Sequence, residues 1–278
     1  CMAPHDHQQA GMGLIAGSGA YPLAFARAAR RERVARLSIA AFHGETDPAL
    51  ASLGDATEWF RVGQLSRMIR FFHREGIDRV VMAGQIAPKN LFDLRPDLRT
   101  LRMLARLKQR NAESLFGAIG EELDSEKITL LPATTFLEDL LPPPGPVCGP
   151  GLKKRQWEDA AYGFRIAKET SRLDIGQTVV VKNGTVLAVE AFEGTNEAMR
   201  RGGKLGKGDA MMIKVSKPDQ DFRFDVPVVG PATVETAADA GVAVLIIEAG
   251  KTLLLEGDRV ASLCRSKGIT IHAWSEED

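Results

Sequence analysis

The sequence is poor in features that mark several large functional classes. It has three cysteines in 278 residues, Cys1, Cys148 and Cys264. Their number is odd, they lie far apart, and none forms a CxxC pair or a zinc-ligand spacing. Neither a disulfide framework nor a structural zinc site is expected, and a reducing, cytoplasmic setting fits. No apolar run approaches the roughly 20 residues of a membrane-spanning helix. The opening CMAPHDHQQAG lacks the apolar core of a secretory signal, and residues 1–11 read as a flexible leader. Net charge is absent as well. Lys plus Arg equals Asp plus Glu at 36 each, so nothing electrostatic argues for a nucleic-acid partner. A Gly-x-Ser-x-Gly elbow and a Walker lysine loop are both missing. Neither Cys148 nor Cys264 has an evident histidine partner, and His43 and His73 stand alone, so no side-chain nucleophile is expected.

What is present begins with GLIAGSGAYP at 13–22, a strand, a glycine turn and a helix start. Gly17 and Gly19 are expected to leave backbone amides free to face a phosphate at the helix N-terminus. The dinucleotide pattern is incomplete, because Pro22 stands where its third glycine belongs and no acidic residue closes the next strand, RLSIAAF. Further strands are expected at 56–62, 79–84 and 127–133, with helices between them. Strand–helix alternation over 12–140 predicts an α/β domain with a mostly parallel, Rossmann-like sheet. In such sheets ligands lie beyond the C-terminal strand ends. Gly17, Ser18, Gly63, Gln64, Gly84 and Gln85 fall there. The helix expected at 97–110 carries Leu98, Leu101, Leu104 and Ala105 as an apolar stripe beside Arg99, Arg102 and Arg106. It reads as an ordinary packed helix, as a homodimer contact, or as a weak anchor to an anionic membrane surface.

The prolines and glycines of 141–151 predict a linker. After it, 152–278 reads as an α+β domain. A helix carries Trp157 and Phe164. Asn183-Gly184 between two strand runs predicts a type I′ hairpin. Thr195 is the expected N-cap of a short helix. The stretch 190–231, EAFEGTNEAMRRGGKLGKGDAMMIKVSKPDQDFRFDVPVVGP, weaves acids and bases into strand-like pieces. Such a segment suits a polyanionic ligand and a metal. Asp221 and Asp225 are oxygen ligands suited to Mg²⁺ or Mn²⁺. Lys214 and Lys217 are placed to neutralise phosphoryl oxygens. The chemistry these residues allow is metal-assisted attack of water on phosphorus. A surface hairpin laced with ion pairs is the competing reading.

Three stretches, GLIAGSGAYP, DIGQTVVVKNGTVLAVEAFEGT and KVSKPDQDFRFDVPVVGPAT, carry a resemblance to a family. The chain resembles the metal-dependent UDP-2,3-diacylglucosamine pyrophosphatases of lipid A biosynthesis, from Gly13 to its end. The resemblance implies hydrolysis of the pyrophosphate to 2,3-diacylglucosamine 1-phosphate and UMP, with water attacking the sugar-side phosphorus. It implies two domains with the lipid product held between them, and an essential Asp225. Asp225, Asp221 and Lys217 are then the catalytic candidates, and Glu193 joins Asp225 and Asp221 as a metal candidate. The substrate-binding candidates are Gly17, Ser18, Gly19, Tyr21, Gly63, Gln64, Gly84, Gln177, Thr195 and Lys214. The family pattern usually reads Glu-Gly-Thr-Asp where this chain has Asn196, which offers one oxygen and no charge. The partners implied are a glycolipid substrate and product, met from the cytoplasmic face of the inner membrane. Two competing readings are a nicotinamide-dependent oxidoreductase built on the first domain and a non-enzymic lipid or nucleotide carrier.

Overall fold

The computed structural model describes residues 11–86, 96–107 and 112–275. The expected leader at 1–11 lies outside them but for its last residue, as do residues 108–110 of the basic helix. The chain divides into two compact units, the first Cys1–Glu138 with Asp221–Asp225, the second Asp139–Gln220 with Val226–Asp278.

The first unit is an α/β layer structure on five parallel strands. β1 (Gly11–Ala16), β2 (Arg36–Phe42), β3 (Ala56–Phe60), β4 (Arg79–Ala83) and β5 (Thr129–Leu130) stand in the order β3-β2-β1-β4-β5. Leu14, Ala16, Leu37, Ile39, Val80 and Val81 are almost fully buried. This continuous burial explains why these strands read as unbroken apolar runs. Helices α1 (Tyr21–Arg31), α2 (Leu65–Arg74), α3 (Leu98–Arg106) and α4 (Ala112–Ser125) complete the unit. Pro22 sits in the first turn of α1, where a missing N–H leaves no bond unmade. The strand order reverses between β1 and β4, and the loops after these two strands meet there.

The second unit carries a six-stranded mixed sheet. Its strands are β6 (Gly145–Cys148), β7 (Thr178–Lys182), β8 (Thr185–Val189), β9 (Ala210–Lys214), β11 (Val242–Glu248) and β13 (Thr270–Trp274), in the order β6-β13-β11-β9-β7-β8. β9, β11 and β13 run parallel, whereas β6, β7 and β8 are antiparallel to their neighbours. Helix α5 (Lys154–Arg172) packs Ala160, Phe164 and Ala167 on one face, against Val179, Val181, Met211 and Ile213. α6 (Thr195–Gly206), α7 (Pro231–Ala240) and α8 (Gly257–Lys267) cover the other, where Met199, Val234 and Val260 meet Val180, Met212 and Leu245. Asn183 and Gly184 form the expected turn with φ of 53° and 72°.

Several expectations change. The run expected to be a linker contains β6, an edge strand, the kind of strand in which a proline such as Pro146 is tolerated. β10 (Val228–Val229) and β12 (Leu253–Leu254) form only a two-residue parallel ladder. β9 ends at Lys214, so 215–218 is not strand. Thr195 is not a cap: Gly194, with φ of 84°, occupies that position and Thr195 opens a helix twelve residues long. Finally, Asp221–Asp225 belongs with the first unit, although the chain on either side belongs to the second.

Candidate active site

The glycine loop after β1 is a backbone crossing. Gly17 N–H donates to the Ala83 carbonyl at 2.8 Å, Ser18 N–H donates to the Gln85 carbonyl at 2.7 Å, and Gln85 N–H returns a bond to Ser18 at 3.3 Å. The Ser18 hydroxyl also donates to the Gln85 carbonyl, at 2.8 Å. A Cβ on Gly17 would lie 2.5 Å from the Gln85 carbonyl oxygen, and one on Gly84 2.5 Å from that of Ser18. Both glycines are therefore required by close backbone approach. This corrects one expectation: the Gly17 amide does not face a ligand but is bonded across the crossing, and so is that of Ser18. The phosphate cradle a nicotinamide cofactor would need at these amides is accordingly not formed. Gly19, with φ of 91°, has open space where a Cβ would be.

Tyr21 is a structural anchor. Its buried phenol donates to the Ala133 carbonyl at 2.5 Å, and burial raises its pKa. Ala133 N–H in turn donates to the Phe222 carbonyl at 2.8 Å. That bond helps dock the five-residue segment Asp221–Asp225 on the first unit. Phe224 packs into the unit's apolar cluster, its ring 5.8 Å from that of Phe116. Both oxygens of Asp221 face Arg223, with Nε at 3.0 and 3.1 Å and a terminal nitrogen at 2.7 Å. The Arg223 guanidinium holds the Asp221 carboxyl below the usual carboxylate range. Asp221 also closes the turn, since its carbonyl accepts from Asp225 N–H at 3.0 Å. Asp225 is half-buried and directly precedes the buried pair Val226-Pro227.

Gly63 and Gln64 open α2. The Gly63 carbonyl accepts from Asp97 N–H at 3.0 Å and from the Thr100 hydroxyl at 2.7 Å. Gln64 Oε1 accepts from Arg61 N–H at 2.9 Å. Both residues border an apolar cavity of the first unit.

In the second unit, Thr195 and Lys214 come together. The Thr195 hydroxyl donates to Glu190 Oε1 at 3.0 Å and accepts from Lys214 Nζ at 3.2 Å. Gln177 Nε2 donates to Gln220 Oε1 at 3.4 Å, and that oxygen also accepts from Lys217 N–H at 2.6 Å. The Lys217 ammonium pairs with Asp174. Glu193 stands apart on an exposed turn. Its own backbone amide and the Arg201 guanidinium, 2.5 Å away, hold its carboxyl below the ordinary range.

Two acids escaped the sequence reading. Glu190 has one buried carboxylate oxygen without a hydrogen-bond partner, beside the Thr195–Lys214 pair. Its position as first residue of the charged stretch was the available signal. Glu248 is buried at the end of β11. Its oxygens accept from Lys168 Nζ at 2.7 Å, Lys251 Nζ at 2.8 Å, Ser216 N–H at 2.7 Å and Ser216 Oγ at 2.8 Å. Nothing in an apolar run such as VAVLIIEAG announces that partner set.

Among the described residues, no group of three or more His, Cys, Asp or Glu converges to hold a metal ion. Asp221 and Glu193 are each paired with an arginine, Arg223 and Arg201 respectively. No helix among the described residues is long and apolar enough to cross a membrane. On α3 the expected stripe is split. Leu104 is half-buried and packs towards the core, whereas Leu98 and Leu101 are 71% and 48% exposed. Arg99 is tied to Glu122 at 2.5 Å and Glu126 at 2.6 Å, and Arg102 and Arg106 are exposed.

A two-part family accounts for both units. Residues 11–140 match the model described as the LpxI N-terminal domain, and residues 143–272 match the LpxI C-terminal domain. The chain belongs to the LpxI family. A curated relative from Caulobacter vibrioides, UDP-2,3-diacylglucosamine pyrophosphatase LpxI, is 31% identical over 275 residues, covering 94% of this chain and 96% of the relative. Among solved structures, dCMP deaminase from the cyanophage S-TIM5 aligns over 44% of this chain and all of its own at 17% identity. Its TM-score of 0.27 is too low to carry an argument.

Proposed function

We propose that this chain hydrolyses the pyrophosphate bond of UDP-2,3-diacylglucosamine, releasing 2,3-diacylglucosamine 1-phosphate and UMP in lipid A biosynthesis. The observation that carries the reading is the match of both halves to one family, joined to end-to-end similarity with a relative of that printed activity. A water oxygen bonds to the sugar-side phosphorus, and the bond from that phosphorus to the bridging oxygen breaks, so UMP leaves with that oxygen. Asp225 is the residue to orient the water and accept its proton. Its support is the turn that fixes it: the Asp221 carbonyl accepts its N–H, Phe224 is packed before it, and the buried Val226-Pro227 follows. Asp221 and Arg223 brace that turn, and Lys217, held by Asp174, supplies positive charge in the second unit.

A Mg²⁺ or Mn²⁺ ion belongs to this reading as a companion of the substrate. Mg²⁺ commonly binds through one or two carboxylates plus substrate phosphates, keeping several waters. That mode needs no cluster of three acids, and Asp225 can be its one protein ligand. When bound, the ion neutralises charge on phosphoryl oxygens. Thr195, Lys214 and Gln177 are the second unit's substrate contacts, with the unmet oxygen of Glu190 beside them as a further acceptor. Gly17 and Gly84 serve by fixing the crossing that carries Ser18 and Gly19. Exposed Leu98 and Leu101 beside Arg102 and Arg106 support weak attachment of α3 to an anionic, cytoplasmic membrane face. Turnover of UDP-2,3-diacylglucosamine in ¹⁸O-water tests the proposal. Label is expected in the sugar phosphate alone; label in UMP moves the attack to the other phosphorus, and absence of turnover ends the reading.

A further inference from the structure

The second unit brings together two cysteines that lie far apart along the chain. Cys148 ends the edge strand β6, and Cys264 lies in the last turn of α8. In the β6–β13 ladder Cys148 stands opposite Ile271, and directly opposed residues project to the same face of a sheet. That is the face α8 covers. Ile271, Val260 and Cys264 share one buried apolar cluster, and Cys148 packs against it. There the Cys148 side chain is hydrogen-bonded to that of Cys264. The backbone around both thiols is fixed. Ile269 N–H donates to the Cys264 carbonyl at 3.0 Å, and the Thr270 hydroxyl donates to the Pro150 carbonyl at 3.0 Å. Between them Gly149, with φ of 84°, passes so close to the turn after α8 that a Cβ on it would lie 2.5 Å from the Ile269 carbonyl oxygen. Strand end and helix end are thus held together, and the two sulfurs with them. They differ in access, Cys148 being half-buried and Cys264 buried. Burial, helped by the bond to Cys148, pushes the Cys264 thiol up to about 12. Because the thiolate is the reactive form, Cys264 is not the sulfur that an oxidant from solvent attacks first.

We propose that Cys148 and Cys264 form a redox-modification site, at which a hydroperoxide oxidises Cys148 and Cys264 then closes a reversible disulfide that staples β6 to α8. In the first step the Cys148 sulfur bonds to one peroxide oxygen and the O–O bond breaks. The sulfur becomes a sulfenic acid, and the other oxygen leaves as water, or as an alcohol from an organic peroxide. In the second step the Cys264 sulfur bonds to the Cys148 sulfur and the S–OH bond breaks. Its hydroxide takes the Cys264 proton and leaves as water. A transient disulfide of this kind suits a reducing setting, where a permanent framework would not form. Its structural effect follows from the position of β6, which has a neighbouring strand on one side only. The bond closes a long loop and ties down an element from which the unit would otherwise fray. The site belongs to the second unit and does not depend on the hydrolase reading.

The test uses the full chain in a Cys1→Ser background, treated with a small excess of hydrogen peroxide under native conditions. Peptide mapping is expected to find Cys148 joined to Cys264 within one molecule, and dithiothreitol to restore both thiols. The oxidised chain should melt at least about 4 °C above the reduced one. Cys264→Ser should leave Cys148 as a sulfenic acid that dimedone traps, whereas the chain with both thiols gives little adduct. Cys264→Ala replaces that variant if circular dichroism finds the buried hydroxyl misfolding it. Three results would overturn the proposal: Cys148 oxidised to sulfinic acid while Cys264 stays free, a disulfide that links two copies of the chain, or equal dimedone labelling with and without Cys264. An intramolecular disulfide that leaves the melting temperature unchanged would overturn the staple.

Discussion

Replacing Glu248 by Gln should be among the more destabilising near-isosteric changes in the second unit. The native carboxylate accepts four hydrogen bonds, two from ammonium groups and two from Ser216. A carboxamide has one acceptor oxygen and one donor group. With its NH₂ toward the two lysines both of their bonds are lost, and with its NH₂ toward Ser216 the bond from Ser216 N–H is lost while the hydroxyl can turn to accept. Removing one partner of a buried ion pair typically costs about 3–5 kcal/mol. The lower end applies here. The Lys251 side chain is 46% exposed and is readily solvated, and Lys168 keeps a 3.2 Å bond to the Ser216 carbonyl. About 3 kcal/mol corresponds to a melting temperature lower by roughly 6–12 °C in a unit of this size. Trp157 and Trp274, with ring centroids 5.2 Å apart, make tryptophan fluorescence a reporter of this unit. Burial alone would raise the Glu248 pKa, but the bonds from Lys168, Lys251 and Ser216 outweigh it and hold the group below its ordinary value. A depressed folded-state pKa gives stability that is present above the ordinary carboxylate range and is lost as pH falls through the folded value. The gap between wild type and Glu248→Gln should therefore shrink in acid. A loss under about 1 kcal/mol at neutral pH, or a gap that widens on acidification, would refute the reasoning.

Asp225→Ala should lower kcat at least about a hundredfold while leaving the melting temperature close to wild type, as read by UMP release and thermal denaturation. A near-wild-type rate would remove Asp225 from the chemistry. EDTA should stop turnover and Mg²⁺ or Mn²⁺ should restore it; full activity in chelator, with no metal found by elemental analysis, would remove the ion. Arg102→Glu with Arg106→Glu should weaken sedimentation with anionic vesicles about thirtyfold or more, since each basic group near such a surface contributes about 1 kcal/mol. Arg99 is a poor choice for that test because its reversal would break the pairs with Glu122 and Glu126. Vesicle binding unaffected by the double reversal and by salt would make α3 an ordinary surface helix.

Strands β1, β2 and β4 were legible because each is buried on both faces and reads as one apolar run. The hairpin at Asn183-Gly184 was legible because a type I′ turn needs two positive φ values in sequence. Helix α6 was read too short for a physical reason. Gly202 and Gly203 look like helix breakers, yet a Cβ on them would lie 2.5 Å from Val180 and 1.9 Å from the Ala240 carbonyl oxygen. They are there for close packing of the helix, and nothing local says so. The amide of Gly17 was misjudged because its acceptor, Ala83, lies some 65 residues away along the chain. The stripe on α3 went the same way: periodicity picks out apolar positions, but only packing decides that Leu104 turns inward while Leu98 and Leu101 stay exposed. Asp225 was legible as a site candidate because its motif is long; that its immediate neighbours belong with the first unit was not, since the contacts concerned span about 90 residues or more.

That five-residue excursion has a consequence for how this polypeptide can be divided. Residues 1–140, expressed by themselves, would lack Asp221–Asp225. The Phe116 ring would lose its neighbour and the Ala133 N–H its acceptor. The remainder would carry the same five residues with nothing native to rest on. Gene fission at the boundary between the two family matches should thus yield pieces that are each less than a folding unit, and complementation between them would have to begin with the handover of a five-residue turn. For the same reason the two halves cannot be exchanged freely with those of a relative: a chimera joined at 140 receives residues 221–225 from one parent and their seat from the other, so Phe224 and Phe116 have to be transplanted as a pair.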